Sequence, residues 1–129
     1  MIDDGKGGSV GHPEKRKTLM YLLSELSDPA LQMKLWVNHE DAPNIHGIDE
    51  VFHFFFDDSE LAREPKSEIG WILEDEGEAE QIATLCIALE AMLNRLGDRE
   101  SIAFLNDAQW ASVVRLAKNA LETVTKPSQ

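Results

Sequence analysis

Apolar residues recur at helical spacing in most of the chain, and the longest uninterrupted stretch of that pattern is Glu78 to Leu96. There Ile82, Leu85, Cys86, Leu89, Met92, Leu93 and Leu96 follow the i, i+3, i+4, i+7 rule and form one stripe along about five turns. Glu74, Asp75, Glu76, Glu78 and Glu80 crowd its start, where the helix dipole favours negative charge. Arg95 stands in the last turn, and Gly97 takes the usual position just beyond a helix end. A stripe of this kind needs partners, so the rest of the domain is expected to pack on it.

Upstream, Pro13 opens a helix at a first-turn position where its missing N–H costs nothing, with Leu19, Leu22, Leu23 and Leu26 on the inner side. Ser27, Asp28 and Pro29 read as a stop and a fresh start, with Asp28 as N-cap, and Leu31, Leu35 and Trp36 follow on a short second helix. Asn38 to Gly47 has a loop composition. Ile48, Val51, Phe52 and Phe55 then return to helical spacing behind Asp49 and Glu50. The aromatic run Val51 to Phe56 also suits a strand. Helix is preferred there, because a strand would divide the phenylalanines between two faces.

Residues 57 to 68 read as an exposed loop broken by Pro65, and Ile69 to Leu73 as a brief strand or a buried lead-in to the long helix. A helical turn carries Ile102, Phe104 and Leu105. Asn106 or Asp107 then caps a last helix with Trp110, Val113, Val114, Ala117, Leu121 and Val124 inside. The expected fold is mainly α, about five helices packed around the long central helix 78–96, with short strands near 51–56 and 69–73 as the alternative for those two stretches.

With 129 residues, 43% of them hydrophobic, the chain has material for one core. The expected organisation is a disordered or weakly tethered tail at 1–12, one domain at 13–125 and a disordered end at 126–129. No run approaches a membrane span and the N-terminus lacks an apolar export core, so a cytoplasmic protein is expected. The single cysteine, Cys86, lies on the apolar stripe and reads as a core thiol.

Charge changes the picture more than composition does. Positions 40 to 80 hold 14 acidic and two basic residues, which accounts for the whole net charge of −12. Such a field repels nucleic acid and anionic membranes and attracts a basic protein surface. Asp57, Asp58, Glu60, Glu74, Asp75, Glu76 and Glu78 are the candidate partner-binding residues. The plainer alternative is a solubilising face.

Candidate chemistry is thin. His39, Glu40, Asp41, His46, His53, Asp57 and Asp58 supply metal-ligand types within 20 positions, but neither a zinc-binding nor a calcium-loop spacing occurs. Asp57 and Asp58 are adjacent and point to different sides of a helix end, which suits acid–base catalysis poorly. The N-terminal glycines neither follow a strand nor precede a Lys-Ser/Thr pair, so no phosphate-cradling loop is expected. Trp36, Trp71 and Trp110 read as core or half-buried anchors. No catalytic residue, metal or cofactor is therefore expected.

The succession LSDPALQMKLWV, IDEVFHFFFDDSEL, IGWILEDEGEAEQIATLCIALEAML and LNDAQWASVVRLAKNAL resembles a family of small uncharacterised bacterial proteins, over about residues 14 to 125. Gln32 with Trp36, the Asp57–Asp58 pair, the Ile69–Gly70 step and Trp110 carry the resemblance. No activity comes with it. By size and charge, but not by motif, the chain is similar to immunity proteins that neutralise a toxin. The first expectation is thus a non-enzymatic binding protein, an immunity protein or antitoxin facing a basic toxin cleft. The alternatives are a housekeeping domain, homodimeric or not, and a small metal-dependent hydrolase using the Asp57–Asp58 neighbourhood.

Overall fold

The computed structural model describes residues 10–38 and 47–126, and these are mainly helical. The tail expected at 1–12 falls outside the described residues up to position 9, as do 127–129. Residues 10–12 belong to the folded body. Val10 is buried, and the amides of Gly11 and His12 donate to the carbonyls of Gly70 and Trp71 at 2.9 and 2.8 Å.

Helix α1 spans Pro13–Leu26, with Pro13 in its first turn and His12 as N-cap, whose Nδ1 accepts from the Lys15 amide at 3.3 Å. Its stripe of Leu19, Leu22, Leu23 and Leu26 is buried as the spacing predicts. Helix α2, Pro29–Gln32, starts from Asp28, whose side chain accepts the Leu31 amide, and runs on into a wider π turn at Met33–Val37. Helix α3, Ile48–Phe52, does the same into a π turn at His53–Asp57. The Asn38 and Asp58 amides reach the Met33 and His53 carbonyls, each at 2.8 Å, five residues back. Leu35 and Trp36, and Phe54 and Phe55, are buried in these turns as consecutive pairs.

The two stretches left open between helix and strand resolve without a sheet. Residues 51–56 are helical, and Phe52 packs edge-on against Phe104 at 5.5 Å. Residues 69–73 make one isolated bridge, Ile69 to Leu73, and no strand forms among the described residues. Gly70 adopts φ +88°, a conformation that favours glycine, and lets the chain double back. The Glu68 carbonyl then accepts the amides of Trp71, Ile72 and Leu73 at 3.0, 2.9 and 2.9 Å. A tight turn so bonded needs no partner strand.

The long helix α4 runs Glu76–Leu96, capped by the Asp75 side chain on the Glu78 amide and ended by Gly97 at φ +70°. Ile82, Leu85, Cys86, Leu89 and Met92 are buried, while Leu93 and Leu96 are half-buried. A short α5, Ser101–Leu105, leads to α6, Trp110–Thr125. Asp107 stands ahead of this helix, accepting the Gln109 amide at 2.9 Å, and the helix itself begins at Trp110. Helix α6 packs most extensively on α4 and also on α1, so these three helices form the body of the bundle. Trp110, Val113, Ala117, Ala120 and Val124 face inward, with Val114 and Leu121 at the margin.

A polar network joins α1, α2 and α6 inside the core. The Gln32 amide nitrogen donates to the carbonyls of Glu25 and Leu26 at 2.7 and 2.8 Å, satisfying the end of α1, and its oxygen accepts from the Trp110 indole at 2.9 Å. The Trp36 indole donates to the Glu25 carboxylate at 2.8 Å, and the two tryptophan rings meet edge-on at 6.1 Å.

Two outcomes follow from this packing. Leu89, fully buried in the middle of α4, is expected to cost about 2–5 kcal/mol on Leu89→Ala, measured by urea unfolding; a loss below about 0.5 kcal/mol would place its stripe in solvent. The Arg95 guanidinium binds both oxygens of Asp107 at 2.7 and 2.9 Å, and with the Gln109 amide it holds the Asp107 carboxyl down to about 2. That lies below the ordinary value of 3.8, so the stabilisation is complete above about pH 4 and fades as pH falls towards 2. The stability gap between wild type and Asp107→Asn should close over that interval, and an unchanged gap at pH 2 would contradict the pairing.

Candidate functional site

At one end of the bundle the start of α1 meets three segments that hold the acidic excess. Lys15 Nζ donates to the Asp58 carbonyl at 2.6 Å and lies 3.9 Å from its carboxylate. The Glu60 amide donates to the buried Glu68 carboxylate at 2.8 Å, which ties the segment after Asp58 to the turn at 68–73. That turn in turn holds residues 11 and 12 by the two backbone bonds already given. Asp57, Asp58, Glu60, Asp75 and Glu76 are exposed around this junction.

The seven residues expected to meet a partner do not form one class. Asp57 is open to solvent, 3.6 Å from His53 Nδ1, and the exposed Glu60 is held by Arg63 at 2.9 Å. Asp75 is exposed but its side chain caps α4. Glu74 is largely covered, 3.9 Å from Arg16. Glu78 is a correction to the expected surface: it is 1% exposed and points into the core. Its two oxygens take Arg16 Nη1 and Nη2 at 2.8 and 2.9 Å, and Oε1 also accepts the Glu74 amide at 2.9 Å.

Arg16 completes its bonding on the carbonyls of Ile72 and Val124, both at 3.0 Å. Burial works against its charge, but the hydrogen-bonded Glu78 and the charges of Glu74 and Asp75 outweigh that, so its pKa stands above the ordinary value. The register holds a signal for this pair. Glu78 precedes Ile82 by four positions and Arg16 precedes Leu19 by three, so each charge sits on the apolar stripe of its own helix. A carboxylate on a buried stripe calls for donors in the interior, and here a cation on a facing stripe supplies them.

Trp71, by contrast, is exposed. It sits at 51% exposure on the turn at 68–73, its ring against Gly11, where an added Cβ would come within 2.5 Å of a ring carbon, and edge-on to His12 at 5.6 Å. Sequence reasoning placed Trp71 among core or half-buried anchors without picking it out from Trp36 and Trp110.

The remaining chemistry is sparse. Among the described residues no three His, Cys, Asp or Glu side chains gather as a metal site; His39, Glu40, Asp41 and His46 lie outside them. Burial, with a smaller contribution from Glu90, pushes the Cys86 thiol up to about 12, which disfavours its thiolate. A cavity of about 200 Å³ lies between α4 and α6, lined in part by Ala91, Met92, Arg95 and Val113. Its arginine is engaged with Asp107. No helix of the described residues is long and apolar enough to cross a membrane.

The buried pair generates an outcome for a double-mutant cycle. Arg16→Met and Glu78→Leu are each expected to cost about 3–5 kcal/mol, because each strands a buried charge, and the double variant to cost less than the sum. Urea unfolding of the four proteins measures this; strictly additive losses would show that the two charges are not coupled.

No curated protein and no solved structure matches the chain significantly. Residues 10–128 match a domain of unknown function, DUF7945, a span that includes every element described above. The chain belongs to that family.

Proposed function

We propose that this chain is a non-enzymatic protein-binding domain whose acidic end engages a basic surface on another protein. The observation behind this reading is that segments 57–60 and 74–76, from the part of the chain that holds the whole net charge of −12, are both tied to the start of α1, Asp58 through Lys15 and Glu74 through Arg16, and carry exposed carboxylates. Asp57, Asp58 and Glu76 are the surface residues best suited to the role, since Glu78 and Glu74 serve the interior and Asp75 caps a helix. A toxin with a basic active cleft is the partner this charge fits best, in the manner of an immunity protein. Such a complex steers the two proteins together over the distance on which charges act in solution. The same field disfavours nucleic acid and anionic lipid as partners.

The test is charge reversal where the fold does not depend on the charge. Given a candidate toxin with a basic cleft, Asp57, Asp58 and Glu76 changed together to Lys should slow association with it by about tenfold or more at low salt, and by less at physiological salt. Surface plasmon resonance at two ionic strengths reads this. The variant should unfold near wild type, because exposed carboxylates contribute little individually. Binding that ignores both salt and the three changes would leave solubility as the role of the charge.

A further inference from the structure

We infer that Trp71 is the anchor of the acidic end, and that it receives an arginine side chain from the basic partner surface. This rests on the reading above and adds to it a contact residue and the chemistry it selects. Trp71 is one of five large apolar side chains exposed on the described surface, with Tyr21, Met33, Ile87 and Ile102, and it lies on the segment that carries the acidic excess. It is also fixed in place. Its amide donates to the Glu68 carbonyl at 3.0 Å, its carbonyl accepts the His12 amide at 2.8 Å, and its ring rests on Gly11 and against His12.

An aromatic ring held in this way loses little freedom when a partner arrives, which is the property of a binding hot spot. Its chemistry narrows the occupant. The indole face attracts cations, and a guanidinium stacks on it while its N–H groups remain free to reach carboxylates. The exposed Asp75 and Glu76 follow Trp71 by four and five positions, within the stretch 40–80 that holds the whole net charge of −12. That charge favours an arginine approaching the ring and repels an acidic side chain.

Acrylamide quenching tests this on the unmodified protein, because Trp36 and Trp110 are buried at 2% and 5% exposure and the accessible fluorescence is that of Trp71. The probes are a nona-arginine peptide, a nona-lysine peptide of equal charge and a net-neutral leucine-rich peptide. Nona-arginine should shield Trp71 from acrylamide more than nona-lysine does. Trp71→Ala should weaken nona-arginine binding about fivefold at physiological salt, and Trp71→Phe should retain most of the affinity. Circular dichroism checks that both variants fold, and the quenching result stands without them.

If nona-arginine binds in a salt-dependent way while Trp71 stays fully quenchable and Trp71→Ala binds equally well, the anchor is wrong and the acidic-end reading survives. Shielding by the leucine-rich peptide alone would identify an apolar occupant and overturn the inference. Binding of none of the three would overturn both the anchor and the reading on which it rests.

Discussion

The arrangement of helices depends on a salt bridge in the interior. Arg16 has four hydrogen bonds, two to Glu78 and one each to the carbonyls of Ile72 and Val124, and so joins α1, the turn at 68–73, α4 and the end of α6 at a single guanidinium. Removing two charges from water is expensive, and an ion pair of this kind does not have to stabilise the fold more than apolar residues would. What it supplies is register. A guanidinium has fixed donor directions, so sliding α1 along α4 by one turn would break all four bonds together.

A second polar node lies at the other end of α1, where the Gln32 amide closes the last carbonyls of that helix and holds the Trp110 indole. Leu19, Leu22, Leu23 and Leu26 lie between the nodes, in contact with a core that is otherwise apolar. Leucines tolerate small displacements, whereas hydrogen bonds of known direction do not. The two nodes thus fix the ends of α1 while the leucines supply most of the burial. This also gives a structural meaning to Gln32, Trp36 and Trp110, three of the residues that carry the family resemblance.

Helical period made α1, α4 and α6 legible in the sequence, with Pro13 marking the start of α1 and Gly97 the end of α4. The π turns were not legible, since nothing in the spacing at Met33–Val37 or His53–Asp57 tells a five-residue return from an α turn. The run from Val51 to Phe56 looked compatible with a strand because aromatic and β-branched residues also favour strands. At the candidate site the charge map was legible but the direction of each side chain was not. Glu78 was counted with the surface acids although its register on the stripe of α4 already turned it inward, and Trp71 was distinguishable from Trp36 and Trp110 only once its turn was in view.

The turn at 68–73 has a further consequence. Three amides converge on the Glu68 carbonyl and a fourth bond runs from the Gly70 amide to the Leu73 carbonyl at 2.7 Å, so the amides of this apolar stretch are satisfied within the turn. A segment of the same composition in extended form would present a row of open donors and acceptors to any passing chain. Coiled as it is, and with its carbonyls at Gly70, Trp71 and Ile72 taken by Gly11, His12 and Arg16, it does not present the open row of donors and acceptors that strand addition uses. The most acidic part of the surface can therefore display an exposed tryptophan without also displaying a sticky edge.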